Sequence, residues 1–160
     1  MARNEVTREL PLPNQTLVRG SAMTPDGRRA VVIAPASIFV FDLAPEVRLV
    51  SQVTLPANTN ATYRTVDVSD DGAFIAVGKL DVLRRARRDR ENEEWNASVV
   101  RGFVELHQPG RANPIEVELD AFSVWNFESP TVNFIDAPGA GTGPDVLVTT
   151  PSSVFVWSPR

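Results

Sequence analysis

Thr24-Pro25-Asp26-Gly27-Arg28-Arg29-Ala30-Val31-Val32-Ile33 and, 45 residues further on, Ser69-Asp70-Asp71-Gly72-Ala73-Phe74-Ile75-Ala76-Val77 are two copies of one phrase. Each sets a hydroxyl residue, an acidic residue and a glycine before an apolar run. An aspartate caps its own backbone and a glycine takes positive φ, which is what a tight turn between extended segments requires. A run with Phe-Val at its centre follows each phrase, Ile38-Phe39-Val40-Phe41-Asp42 in the first and Gly102-Phe103-Val104-Glu105 in the second. A looser third copy has Asp136 and a glycine-rich turn before Asp145-Val146-Leu147-Val148, then Val154-Phe155-Val156-Trp157. Pro13, Pro25, Pro56, Pro109, Pro130 and Pro151 fall at the ends of runs, where a missing N–H costs no ladder bond. Repeats of this kind bury their faces by stacking on one another, so the expected fold is all-β.

Working outward, each of the first two copies gains a fourth run. These are Arg48-Leu49-Val50-Ser51-Gln52-Val53-Thr54-Leu55 and Pro114-Ile115-Glu116-Val117-Glu118-Leu119, the latter alternating apolar and acidic residues as a strand with one wet face should. The third copy has no such run, whereas residues 5–13 add one at the other end of the chain. Its closing Leu12-Pro13-Asn14 echoes Leu55-Pro56-Ala57-Asn58. With strands lettered a to d within a unit, the expected order is d, abcd, abcd, abc. Strand d lies at 5–13, one unit over 17–56, a second over 62–120 with an insertion at 79–100 between b and c, and a third over 130–160 that lacks its own d.

The spacing of the two turns is close to the ~40 to 45 residue period of four-stranded propeller blades. Thr24-Pro25-Asp26-Gly27 and Ser69-Asp70-Asp71-Gly72 resemble the Ser-Pro-Asp-Gly turn of TolB-like and YVTN-type propellers and of the wider WD40 group. Ile38-Phe39-Val40-Phe41-Asp42-Leu43 is similar to the strand c that ends in a Trp-Asp pair, although the Gly-His pair that opens WD40 repeats has no counterpart. The resemblance implies three four-stranded antiparallel propeller-type blades, half of a six-bladed ring or part of a larger propeller. It also implies that 5–13 completes a blade with the strand at Ser153 to Trp157, because an unpaired edge is a liability in an open array.

At 160 residues the chain is one domain's worth, and 42% hydrophobic residues suffice for a core. A net charge of -4 is too mild to announce a nucleic acid or a membrane as the partner of the whole surface. Without cysteine there is no disulfide, no thiolate zinc site and no thiol nucleophile. No stretch approaches the ~18 apolar residues of a membrane span, and Met1-Ala2-Arg3-Asn4-Glu5 does not open a secretory signal, so a cytoplasmic location is the default expectation. Basic residues are nearly all arginine, Lys79 being the only lysine.

Gly27 precedes Phe39 by 12 residues, but Gly72 precedes Phe103 by 31. The difference holds Arg84, Arg85, Arg87, Arg88 and Arg90, then Glu91, Glu93, Glu94 and Trp95. Arg87 with Glu91 and Arg90 with Glu94 have helical spacing, yet basic residues lead and acidic ones follow, against the helix dipole. A long hairpin with its charge blocks facing each other fits equally. Functionally, the segment is either a solvated, self-neutralising loop or a contact arm in which the five arginines meet an acidic surface or phosphates with Trp95 as an apolar anchor, nucleic acid being the lesser case because glutamates follow at once.

Other chemistry finds little footing. Asp67-x-Ser69-x-Asp71-Gly72 begins like a calcium loop, but Gly78 stands where a bidentate glutamate is needed. Gly139-Ala140-Gly141-Thr142-Gly143 is followed by Pro144 and a strand, not by a lysine and a helix. His107 is the one imidazole and is expected at the end of strand c, beside a turn at Gln108-Pro109-Gly110. Asp67, Glu128 and Asp136 could form a carboxylate pair near a channel, and Phe122, Trp125 and Phe127 an aromatic mouth. Turn capping and packing between blades are the plainer roles for both sets. The expectation is a non-catalytic binding or assembly module without a cofactor, completed by a protein partner or a second copy. A small-molecule, sugar-binding or hydrolytic site at the channel, and a fragment of a longer propeller protein, are the alternatives.

Overall fold

A computed structural model describes residues 9–13, 16–56, 61–84, 87–88, 95–96, 98–124, 130–135 and 144–159. Within them the two turn phrases fold identically. The N–H of Gly27 donates to the carbonyl of Thr24, Thr24 Oγ1 donates to Asp26 Oδ1 at 2.7 Å, and the N–H groups of Arg28 and Arg29 reach Asp26 Oδ1 and Thr24 Oγ1. Ser69, Asp71, Gly72, Ala73 and Phe74 repeat every one of these bonds. Gly27 and Gly72 both sit at φ 69°, where a side chain is strained.

These turns join the first two strands in the first two of three antiparallel sheets. The first has the order β1 (Gly20–Met23), β2 (Arg29–Ala34), β3 (Ser37–Asp42), β4 (Arg48–Thr54). In the second, β5 (Ala61–Val68) pairs β6 (Ile75–Arg84), which pairs β9 (Ser98–His107) and then β10 (Ile115–Val124). Between β6 and β9 the chain makes a small ladder of β7 (Arg87–Arg88) with β8 (Trp95–Asn96). The third sheet is β11 (Thr131–Ile135), β12 (Asp145–Thr149), β13 (Val154–Trp157). Each sheet is a meander in chain order, there is no helix among the described residues, and so no helix there long and apolar enough to cross a membrane.

Alternation along the strands gives each sheet two apolar faces, and the sheets pack in sequence order. Val31, Ile33, Ile38 and Val40 of the first meet Tyr63, Val68, Ile75 and Val77 of the second, with Leu55 between. The opposite face of the second sheet, carrying Ala76, Val104 and Leu106, meets Val132, Val146 and Val148 of the third. Hydrogen bonds fasten the second junction, since Thr65 Oγ1 bonds the carbonyl of Pro130 and Asp67 Oδ2 accepts from the N–H of Phe134 at 2.7 Å.

Three expectations change in detail. Of the strand placed at 5–13, residues 5–8 lie outside the described residues. Residues 9–13 are not strand, and Leu10 and Leu12 pack against Val32, Ala34, Phe39 and Phe41 on the outer face of the first sheet. The insertion takes hairpin form in its described part, because β6 and β9 both run well past the expected bounds before β7 and β8 pair. Finally, Phe-Val is not the right anchor for aligning the repeats. Val32 pairs Phe39, but the equivalent Val77 pairs Glu105, two residues beyond Phe103.

Candidate functional site

That two-residue slip exposes the chemistry of the second sheet. Register equates Phe39 and Phe41 with Glu105 and His107, since Ala30 pairs Phe41 and the equivalent Ile75 pairs His107. Ala34, ten residues after Thr24, equates in turn with Lys79, ten after Ser69. An apolar layer of one sheet is therefore a charged layer in the next.

The charged layer is buried and internally paired. Glu105 is 3% exposed and His107 6% exposed, and His107 Nε2 lies 2.9 Å from Glu105 Oε2. Lys79 Nζ donates to Glu105 Oε1 at 2.9 Å and to Glu116 Oε2 at 2.7 Å, and lies 4.5 Å from the centre of the Phe103 ring. Tyr63 O–H donates to Glu105 Oε1 at 3.3 Å. Burial works against the Glu105 charge, but hydrogen bonds from His107 and Lys79 outweigh it and hold its pKa at about 2. Burial likewise opposes the Lys79 ammonium, and bonds to Glu116 and Glu105 raise its pKa overall. Desolvation and the neighbouring Glu105 charge push the Tyr63 phenol up. With both Glu105 oxygens engaged, the layer fixes a structure and offers no free base.

His107 stands where the sequence placed it, at the end of the third strand of its sheet. It is buried against Glu105, and the turn begins after it. The network also shows what the sequence signals were. Lys79 is the one lysine, and Glu105-x-His107 interrupts the apolar alternation at a spacing that keeps both on one face.

At the edge bearing the turns, the first and second sheets are tied by Arg29. Its Nε and one terminal nitrogen donate to Asp42 Oδ1 at 3.2 and 3.1 Å, and its other nitrogen donates to the Gly72 carbonyl at 3.0 Å. Burial opposes the Asp42 charge, but Arg29 and Arg48 bring its carboxyl below the usual range. In the turns, the backbone N–H and hydroxyl bonds hold the carboxyls of Asp26 and Asp71 low as well. Asp71 is thereby engaged as a turn cap, and Asp67 fastens β5 to β11. Among the described residues no group of three or more histidine or acidic side chains is placed to hold a metal ion.

Of the expected contact arm, Arg85 and Arg90 fall outside the described residues, and only the backbone is described for Arg84, Arg87, Arg88 and Trp95. Pairing of Arg87 with Asn96 and Arg88 with Trp95 brings the basic limb of the hairpin beside the limb carrying the tryptophan. The hairpin projects from the edge of the second sheet opposite the Ser69 turn. Glu128, Asp136, Trp125, Phe127 and the glycine run at 139–143 lie outside the described residues, as does the Phe122 side chain.

The two end faces of the stack differ. The outer face of the first sheet, with Val32, Ala34, Phe39 and Phe41, is buried under Leu10, Leu12, Leu43 and Val47. The outer face of the third carries Leu147, Val154 and Val156, and Val154 is 66% exposed and Val156 51% exposed. There β13 is a sheet edge with no partner on its far side among the described residues. Compared with known proteins, the chain matches no family model and no curated protein.

Proposed function

We propose that the chain is a non-catalytic assembly module of three propeller-type blades, akin to the TolB-like, YVTN and WD40 groups, and that a second copy completes a six-bladed ring. The reading rests on the unlike end faces: one apolar face is covered by Leu10, Leu12, Leu43 and Val47, and the other is exposed and ends at β13, which has no partner on its far side among the described residues. Three blades alone would each have to turn about 120° about an axis, whereas propellers use about four to eight. Two copies related by a twofold bring the open third sheet of each against the first sheet of the other.

The placement of Leu10 and Leu12 fits that arrangement. They lie on the side of the first sheet where a preceding blade would stack, so the segment that carries them is in position to pair with β13 of the second copy. Exposed valines on an edge strand favour such a partner, because an apolar edge left bare is an aggregation site. In this reading the hairpin with Arg84, Arg85, Arg87, Arg88, Arg90 and Trp95 is a contact arm for an acidic protein surface, at the rim opposite the aspartate turns. Light scattering after gel filtration tests the assembly. A dimer is expected at micromolar concentration, and a folded monomer overturns the reading.

A further inference from the structure

The junction between the second and third sheets differs from the first junction at one place. Between the first and second sheets, the gap beside the turns is crossed by the Arg29 side chain bound to Asp42 and Gly72. In the second sheet Phe74 stands at the position of Arg29, five residues after the turn hydroxyl, and Gln108 lies opposite it, where Asp42 lies opposite Arg29. Neither side chain makes a bond across the junction among the described residues. What remains is a cavity of about 290 Å³.

Its floor is apolar, made by Phe74, Leu106 and Ile115, and Pro159 of the third sheet's end closes one side. Gln108, Arg111 and Asn113 converge on it from the connection between β9 and β10. Among the described residues none bonds or pairs with the side chains of these three, and Arg111 and Asn113 are exposed. Gly110, at φ 91°, and the Arg111 N–H bond to the Gln108 carbonyl set the tight loop that carries them. An apolar floor with a few convergent polar groups is the general form of a small-ligand site, and the space is about twice that which holds a benzene in an apolar cavity.

We infer that this cavity is a binding site for a carboxylate borne on a compact apolar body. Arg111 offers the planar two-donor fork that matches a carboxylate, Gln108 and Asn113 add amide donors, and the floor takes a phenyl-sized or branched aliphatic group. The chemistry is shared by a free organic acid and by a peptide ending in a leucine carboxylate. All lining residues come from one chain, so the inference stands apart from the ring assembly.

Backbone amide NMR of the full chain, titrated with millimolar 4-phenylbutanoate and with a leucine-terminated tetrapeptide, tests it. Shifts centred on Phe74, Arg111 and Ile115 are expected, with none for the amidated forms of the same probes. Tighter binding of the peptide assigns the site to chain termini, and tighter binding of the acid assigns it to metabolites. Arg111→Ala should weaken the preferred probe by about tenfold or more, Arg111→Lys by less, and Ile115→Glu should abolish binding in a protein that still folds. No shift with either acid, equal binding of the amides, or an unchanged affinity in Arg111→Ala overturns the proposal.

Discussion

Glu105, His107 and Lys79 are a replacement made as a unit. The first sheet fills the equivalent layer with Phe39, Phe41 and Ala34, and folds with the same register. Burying charge costs several kcal/mol unless every partner is present, so removing one member is far worse than removing all. Glu105→Ala should lower the unfolding free energy by about 3 kcal/mol in urea titrations. The triple change Lys79→Ala, Glu105→Phe and His107→Phe, which copies the first sheet, should recover most of that loss. A triple variant as unstable as the single one would show that the layer holds more than its own pairs. Acid offers an independent test. The pKa of Glu105 drops from 4.5 to about 2 on folding, so its stabilisation is complete above pH 4.5 and disappears as pH falls toward 2. Melting temperature should fall across that window, and the fall should be shallower in the triple variant.

At the scale of elements, the duplicated turn is where sequence and structure agree most closely. Asp-Gly after a hydroxyl residue specifies a loop through bonds among neighbours in the chain, and local bonds of this kind can be read without knowing the fold. A substitution separates what is local from what is not. Gly27→Ala meets open space and should cost about 1 kcal/mol for its positive φ alone, whereas a Cβ at Gly72 would come 2.9 Å from Arg29 Cδ. Gly72→Ala should therefore cost more, by disturbing the bridge between sheets; equal costs would show that Arg29 moves freely. The strands of the three sheets and their order were legible for the same local reasons, the run at 5–13 apart. The charged layer was not, because Glu105 and His107 meet Lys79 and Tyr63 only through the pairing of distant strands, and anchoring the repeat on Phe103 moved the equivalence by two residues. The packing of Leu10 and Leu12 was equally hidden, since an apolar pair near a proline reads alike as strand or as cover. For the hairpin, replacing Arg84, Arg85, Arg87, Arg88 and Arg90 jointly with serine should move the melting temperature by no more than about 2 °C and weaken capture of an acidic partner. Unfolding of that variant would make the arm structural.

Across the whole molecule, the stack of sheets has a direction. Each junction presses one face of a sheet against the opposite face of the next, so the outer faces of the first and third sheets are complementary in kind, and one is covered where the other is bare. In the proposed ring this polarity lets the copies close by rotation and makes the bare face the place to break it. Val154 and Val156 contribute little to the interior, whereas Phe155 and Trp157, on the other side of the same strand, pack into the second core cluster. Val154→Glu with Val156→Glu should therefore leave the sheets folded and dissociate a dimer into monomers, as read by light scattering and an unchanged far-ultraviolet circular dichroism spectrum. Deleting residues 1–13 attacks the same contact from the other end, but it also strips Leu10 and Leu12 from Phe39 and Phe41 and should lower the melting temperature. The two variants thus separate assembly from stability. If the charged variant remains dimeric while the deletion is monomeric and stable, the N-terminal segment alone joins the copies and the third sheet faces solvent.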